Sequence, residues 1–405
     1  MAERVTLHIG APKSGTTYVQ SILWSNRPLL RRHGVLVPGG NKREHDFLAA
    51  WVRDERGVDE VQQHLMEATR RWDGHVLLSS EWFGMADDDQ VARFVDRLRP
   101  ARVDVVFTTR TFVSVAPATW QQTLKSGRPS TWSAFFAGMD SGGDPHWRWR
   151  ALDPAQVLPH WRGAVPLERT RVVTVPRPGS PPEELWHRFA SATDLADVDV
   201  DLRRARGNPS LSAEGARLLQ LVGPRLREEL GADEDERQAR VWIRSRFSER
   251  ALRPLGGRPI GIGEEDARAL QERAERTAAA LRDQGYPVVG DLADLTEPGG
   301  KPGAVPPGDV DDGALLPVAA GVLPVLLGQI QHQHELAQRR EQQLASLPDG
   351  AAPADAAEVP RPSWDPFERQ PRREVPLEGA RRRLRPAKRR VQRRLRLLGR
   401  SLRRR

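Results

Sequence analysis

The first 24 residues constrain the fold more than any other stretch. Val5-Thr-Leu-His-Ile9 alternates apolar side chains, the period of a strand. Gly10-Ala-Pro-Lys-Ser-Gly-Thr-Thr17 follows as a loop. Gly10 and Gly15 open backbone angles closed to other residues, and Pro12 fixes its own φ and has no N–H to satisfy. Val19, Ile22 and Leu23 then return at helical spacing. A helix starting near Thr16 aims its free N–H groups and the positive end of its dipole into the loop. That is an anion site, and phosphate is its usual occupant. Lys13 adds a full charge, and Ser14, Thr16 and Thr17 add hydroxyl donors.

The same alternation of strand and helix continues. His75–Ser79, Val103–Thr109 and Arg171–Val175 read as buried strands, Gly34–Val37 as a short strand or extended turn, and Tyr286–Val289 as a last short strand. Between them lie helical patterns: a helix capped by Asp46, one over Val58–Arg71, one capped at Asp87–Asp89, and one over Val113–Leu124. Later come a start at Asp153-Pro154, a capping box at Ser180–Glu183, and amphipathic helices over Ser212–Leu230 and Glu264–Gln284. This order predicts an α/β fold, an open parallel sheet flanked by helices.

Composition shifts near Leu295. Residues 1–295 read as the globular domain, 296–313 as a Pro/Gly-rich linker, and 314–347 as a helical segment with an apolar first half. Residues 348–380 have the composition of a disordered linker, and 381–405 form a basic amphipathic tail with Val391, Leu395, Leu398 and Leu402 on one face. The net charge of +9 belongs to that end: Pro371–Arg405 holds 16 basic and 2 acidic residues, leaving 47 basic against 52 acidic elsewhere. An anionic membrane surface is the first partner expected for the tail, with nucleic acid behind it. The chain has no cysteine, which excludes disulfides, thiolate metal sites and cysteine nucleophiles. No transmembrane run is expected, and no signal peptide before the first strand. The expected location is therefore cytoplasmic, with the tail at the inner membrane face. His332 and His334 are the closest histidine pair; they read as a solvated face, and no metal site is expected.

The loop is not a Walker A motif. Gly10 and Gly15 have that spacing, but Thr16 stands where the lysine belongs, and Lys13 sits inside the loop. Pro-Lys-Ser-Gly-Thr-Thr (Pro12–Thr17) instead resembles the 5′-phosphosulfate loop of sulfotransferases, which move a sulfuryl group from 3′-phosphoadenosine 5′-phosphosulfate (PAPS) to a hydroxyl or amine. Thr108–Gln121, Trp147-Arg-Trp149 and Val172–Pro176 are similar to bacterial sulfotransferase-like proteins as well, so the resemblance runs from about Arg4 to Leu295.

The resemblance implies PAPS as co-substrate, no metal, and Pro12, Lys13, Ser14, Gly15, Thr16 and Thr17 around the phosphosulfate. It implies Arg110, at the end of the third long strand, for the 3′-phosphate. The serine that family members carry eight residues later is Ala118 here; Ser114, one turn nearer, is the substitute, with Thr119 adjacent. Lys13 is the group expected to neutralise charge on the leaving phosphate. Glu81, after the second long strand, is the first candidate base, and His45 the second. Trp120, Trp132, Trp147, Trp149 and Trp161 are either core or acceptor-pocket residues, and 208–211 is a candidate loop near the nucleotide. The acceptor is a small molecule, glycan or lipid. Two other readings stay open: a kinase-like phosphotransferase, and a non-catalytic nucleotide-binding scaffold with a working basic tail.

Overall fold

Every residue of β1 (Arg4–His8) is buried, as a strand covered on both faces requires. It forms the middle of a six-stranded sheet with β2 (Val35–Leu36), β3 (His75–Ser79), β4 (Arg102–Thr109), β5 (Thr170–Thr174) and β6 (Val288–Val289). The order is β2-β3-β1-β4-β5-β6, and every pairing is parallel. His8 stands opposite Ser79 on one side and Val106 on the other. The carboxyl ends of β3 and β1 are therefore level, β4 runs on to Thr109, and the loops that leave them share one edge.

The structure is a computed structural model that describes residues 2–345 apart from positions 56, 58, 129, 141–147, 204–209 and 234. Six helices precede the middle of the chain: α1 (Thr16–Ser25), α2 (Arg27–Arg32), α3 (Arg43–Val52), α4 (Glu60–Arg71), α5 (Asp88–Arg97) and α6 (Phe112–Lys125). Successive strand residues point to opposite faces. One face puts Val5, Leu7, Val76, Leu78, Val105 and Phe107 against Leu48, Leu65 and Phe94 of α3, α4 and α5. The other puts Leu77, Val106 and Val173 against Val19, Ile22 and Leu23 of α1 and Phe189 of the helix Glu184–Ala192. The expected α/β sheet with helices on both sides is what forms.

Local chemistry sets most helix starts. Asp59 and Asp87 each close a capping box, with Gln62 and Gln90. Two expected caps differ. Asp46 lies inside the first turn of α3 and accepts a hydrogen bond from Ser80 Oγ at 2.6 Å. The box at Ser180–Glu183 does not form, because the helix there begins at Glu184 with no side-chain cap. Pro117 sits at the sixth position of α6, and Pro224 lies inside Ala213–Glu229 without dividing it. A π-helical stretch, Ala239–Leu252, carries no sequence signal that separates it from an ordinary helix.

The stretch 296–313 does not behave as a free linker. Thr111 Oγ1 donates to the Glu297 carbonyl at 3.1 Å, Val305 pairs beside Ile260, and Pro307 and Val310 are buried. The chain divides later, into Met1–His334 and Glu335–Arg405. The long helix Asp312–Ala345 begins inside the first unit. Its Leu315, Val318, Val322 and Leu326 pack with Leu252 and Leu255, while Leu316, Leu323, Leu327 and Ile330 are exposed. By length and composition this helix could cross a membrane, against the expectation of none. The expected disordered linker and basic tail, 348–405, lie outside the described residues.

Gly10 marks the tightest approach at the sheet edge. A Cβ there would fall 1.9 Å from Thr108 Oγ1 and 2.9 Å from the Thr108 backbone nitrogen. Gly10→Ala is expected to destabilise the fold by about 3 kcal/mol, the upper end of overpacking costs. A lower urea midpoint at unchanged slope measures it; a midpoint equal to that of the unaltered chain would contradict the packing described.

Candidate active site

The loop between β1 and α1 is bolted to β4. The Ala11 N–H donates to the Thr108 carbonyl at 2.9 Å, and the Ser14 N–H to the Ala11 carbonyl at 3.2 Å. Ser14 is fully buried, and its hydroxyl donates inward, 2.8 Å from the Thr108 carbonyl oxygen. Beneath it, His8 bridges Ser79 Oγ (Nδ1, 2.8 Å) and Thr108 Oγ1 (Nε2, 3.1 Å), and burial drives its pKa down to about 3. This neutral network fixes the turn. Above it, Lys13 takes φ +67° and Gly15 φ +82°. A left-handed lysine is strained, and such strain persists where the surroundings over-determine it. Gly15 caps α1 without a side chain, and no acid occupies the first turn, so the helix presents its N–H groups uncapped.

These elements line a cavity of about 240 Å³. The loop supplies Lys13, Gly15, Thr16 and Thr17; the end of β3 supplies Glu81; the end of β4 supplies Arg110. One side of α6 supplies Ala118, Gln121, Gln122 and Lys125. Tyr18 and Ser210 complete it. Lys13, Arg110 and Lys125 form no ion pair or hydrogen bond among the described residues, and neither does the Glu81 carboxylate. Four charged groups thus meet one space with no partner but each other.

Several expected site residues fall elsewhere. Pro12 and Ser14 are buried in the turn and do not line the cavity, so Ser14 shapes the loop instead of offering its hydroxyl. Ser114 lies in the first turn of α6 and is absent from the lining; Ala118, one turn on, reaches it with a methyl group. His45 is fully buried in α3. Its Nδ1 accepts the Ser79 N–H at 3.0 Å, which leaves the proton on Nε2, donated to the Pro38 carbonyl at 3.0 Å. Burial lowers its pKa to about 4, and Arg27 adds to that. With both ring nitrogens committed, His45 is not placed to act as a base. Trp120, Trp149 and Trp161 are core side chains, and Trp132 is tied to Asp266 through its indole N–H at 2.6 Å; Trp147 lies outside the described residues.

Sequence reasoning missed Gln121, Gln122 and Lys125. The signal was present: 118, 121, 122 and 125 share one side of a helix at the i, i+3, i+4, i+7 spacing that follows from Arg110 being at its root. Asp46 was missed as a neighbour of Glu81. Burial first, and Glu81 next, push the Asp46 pKa up to about 6, while the Ser80 hydrogen bond pulls the other way.

Burial is also the main force on the cavity lysines. It lowers Lys13 to about 7, with Lys125 and Arg244 adding to the fall and Glu81 and Glu249 opposing it. It lowers Lys125 to about 8, where Glu249 opposes and Arg244 and Arg253 add. Burial lowers Arg110 as well. No group of three or more His, Asp or Glu residues suited to a metal occurs among the described residues.

A strand–loop–helix turn of this kind, at the carboxyl edge of an open parallel sheet, defines an anion-binding site of the P-loop-like class. No protein-family model matches the chain, and no curated protein does. Among solved structures, it is similar to a sulfotransferase from Alicyclobacillus acidocaldarius, at 17% identity over 60% of this chain and 96% of that one, with a TM-score of 0.36.

Anion binding at this site will depend on pH through the lysines. Lys13 loses its charge as pH rises through about 7 and Lys125 through about 8. Sulfate does not titrate in this range, so its affinity is expected to fall about tenfold or more between pH 6 and pH 9. Thermal stabilisation by sulfate, measured across that range, reads the effect. A pH-independent affinity, or the same decline in Lys13→Met, would contradict the role given to Lys13.

Proposed function

We propose that this protein is a sulfotransferase that takes its sulfuryl group from PAPS. One observation carries the reading. Three cations without ion-pair partners among the described residues, Lys13, Arg110 and Lys125, meet an uncapped helix N-terminus at one cavity, which the Glu81 carboxylate also lines. Unpaired buried cations are costly, so a site that gathers three is built for a polyanion. PAPS is such a ligand, anionic at its phosphosulfate and at its 3′-phosphate. The resemblance of Pro12–Thr17 to a phosphosulfate loop, and of Arg110 to a 3′-phosphate arginine, favours it over other nucleotides. The cavity is slightly smaller than the roughly 300–1,000 Å³ of ordinary ligand sites. It suits the charged end of a nucleotide, and residues 204–209, next to Ser210 in sequence, lie outside the described residues.

In the reaction, the acceptor oxygen attacks sulfur in line with the leaving phosphate. The new O–S bond forms as the S–O bond to the 5′-phosphate breaks, and that electron pair stays on the phosphate oxygen. Lys13 and the α1 N-terminus stabilise the charge arriving there. Glu81 takes the acceptor's proton, since its carboxylate has no other partner among the described residues. The products are adenosine 3′,5′-bisphosphate and a sulfate ester, or a sulfamate where the attacking atom is an amine nitrogen. The acceptor is a hydroxyl or amine on a small molecule, glycan or lipid.

Calorimetric titration with PAPS, and with ATP and Mg²⁺, separates this reading from a kinase-like phosphotransferase. Mass-spectrometric screening for products heavier by one sulfuryl group separates it from a non-catalytic scaffold, the reading that Ala118 in the cavity wall favours. Lys13→Ala is expected to abolish transfer while leaving the unfolding midpoint unchanged. Glu81→Gln is expected to lower kcat about 10²-fold, a typical loss for a general base, with PAPS affinity within about threefold. Normal turnover in Glu81→Gln would remove Glu81 from the mechanism.

A further inference from the structure

Lys125 stands apart from the other buried cations of this fold. Among the described residues the other two, Arg4 and Arg227, are answered by carboxylates: Arg4 by Asp104 and Asp194, Arg227 by Asp233 and Glu236. Lys125 is only 3% exposed, yet it has no hydrogen bond or ion pair among the described residues. Glu249 is the carboxylate that acts on it, but Glu249 is held by Arg244 at 3.4 Å, and Arg244 and Arg253 oppose the Lys125 charge. Its ammonium borders the same 240 Å³ cavity as Lys13 and Glu81. A buried ammonium in this position is stable only when an anion enters.

The two ends of the cavity differ. Arg110 stands just before the first residue of α6 and Lys125 is its last, so about 20 Å of helix separates their backbones. Lys125 therefore belongs to the Lys13 end. From the last residue of α6 its side chain leans back over the preceding turn, which carries Gln121 and Gln122 of the same cavity wall. The loop with Lys13 and the α1 N-terminus already serves the phosphate on the other side of that end.

We propose that Lys125 is a second donor-binding ammonium, which holds the sulfuryl group of PAPS across the cavity from Lys13. This rests on the sulfotransferase reading. In a loose, in-line transfer, charge spreads over the three non-bridging oxygens of the moving group, and a cation beside them acts as the arginine finger does in phosphoryl transfer. Lys13 then neutralises the leaving oxygen, Lys125 the sulfuryl oxygens, and Glu81 receives the proton. No residue is asked to do two of these tasks.

PAPS and adenosine 3′,5′-bisphosphate differ by the sulfuryl group, so binding of the two separates the roles without an acceptor. In calorimetric titrations, Lys125→Met is expected to weaken PAPS binding at least tenfold and the bisphosphate by no more than about twofold. Lys125→Arg, which keeps the charge, is expected to recover most of the PAPS affinity. An equal loss for both ligands would assign Lys125 to a phosphate or to the fold and overturn the proposal. So would unchanged PAPS affinity in Lys125→Met. A native chain that binds bisphosphate and PAPS no better than adenosine overturns the sulfotransferase reading itself, an outcome visible before any variant is made.

Discussion

The contact between Gly10 and Thr108 is the constraint on which the rest depends. With no Cβ at position 10, the end of β1 can lie against the Thr108 side chain. That closeness lets Ala11 and Ser14 bond to the Thr108 carbonyl, and those bonds turn the loop upward with Lys13 in a left-handed conformation. The buried His8, kept neutral, joins the ends of β1, β3 and β4 through Ser79 and Thr108. Three adjacent strand ends become one rigid platform. Loop cation, β3 carboxylate and β4 guanidinium are then set relative to one another by backbone rather than by mobile side chains.

The charge distribution follows a division of labour. In the body, the buried guanidinium groups of Arg4 and Arg227 each sit between two carboxylates, so their charge is spent within the fold. At the sheet's carboxyl edge, Lys13, Arg110 and Lys125 have no such partner among the described residues. The cost appears in the lowered pKa values of both lysines, for which burial is the first cause. The fold thus answers Arg4 and Arg227 with carboxylates and, among the described residues, leaves Lys13, Arg110 and Lys125 unpaired at one cavity.

How much of this was legible in the sequence follows from the range of the forces involved. Strands β1, β3, β4 and β5 were visible because buried parallel strands leave apolar runs, and the Asp87 cap acts within four residues. That Lys13, Glu81 and Arg110 share one cavity was readable because each lies in a loop that leaves the carboxyl end of a strand, where topology alone fixes the edge. Ser14 and His45 were misjudged for the opposite reason: residue type suggested chemistry, but partners 94 and 34 positions away claimed their polar atoms. The 296–313 stretch has the composition of a linker, and only its distant contacts with Thr111 and Ile260 hold it to the body. Lys125 needed α6 to be placed against the loop before its helical spacing meant anything.

His45 makes clear why hydrogen-bond accounting decides the base better than residue type does. β2 is two residues long and pairs β3 only as far as Val76. Beyond that point, the N–H of Ser79 has no neighbouring strand on that side, and the His45 ring takes the ladder's place. The second ring nitrogen is spent on Pro38, so accepting a proton would break the bond to Ser79. Losing that bond would loosen the end of β3 two residues before Glu81. A residue that holds the candidate base in position cannot also serve as the base. Glu81 emerges just past that anchored end with its oxygens free among the described residues.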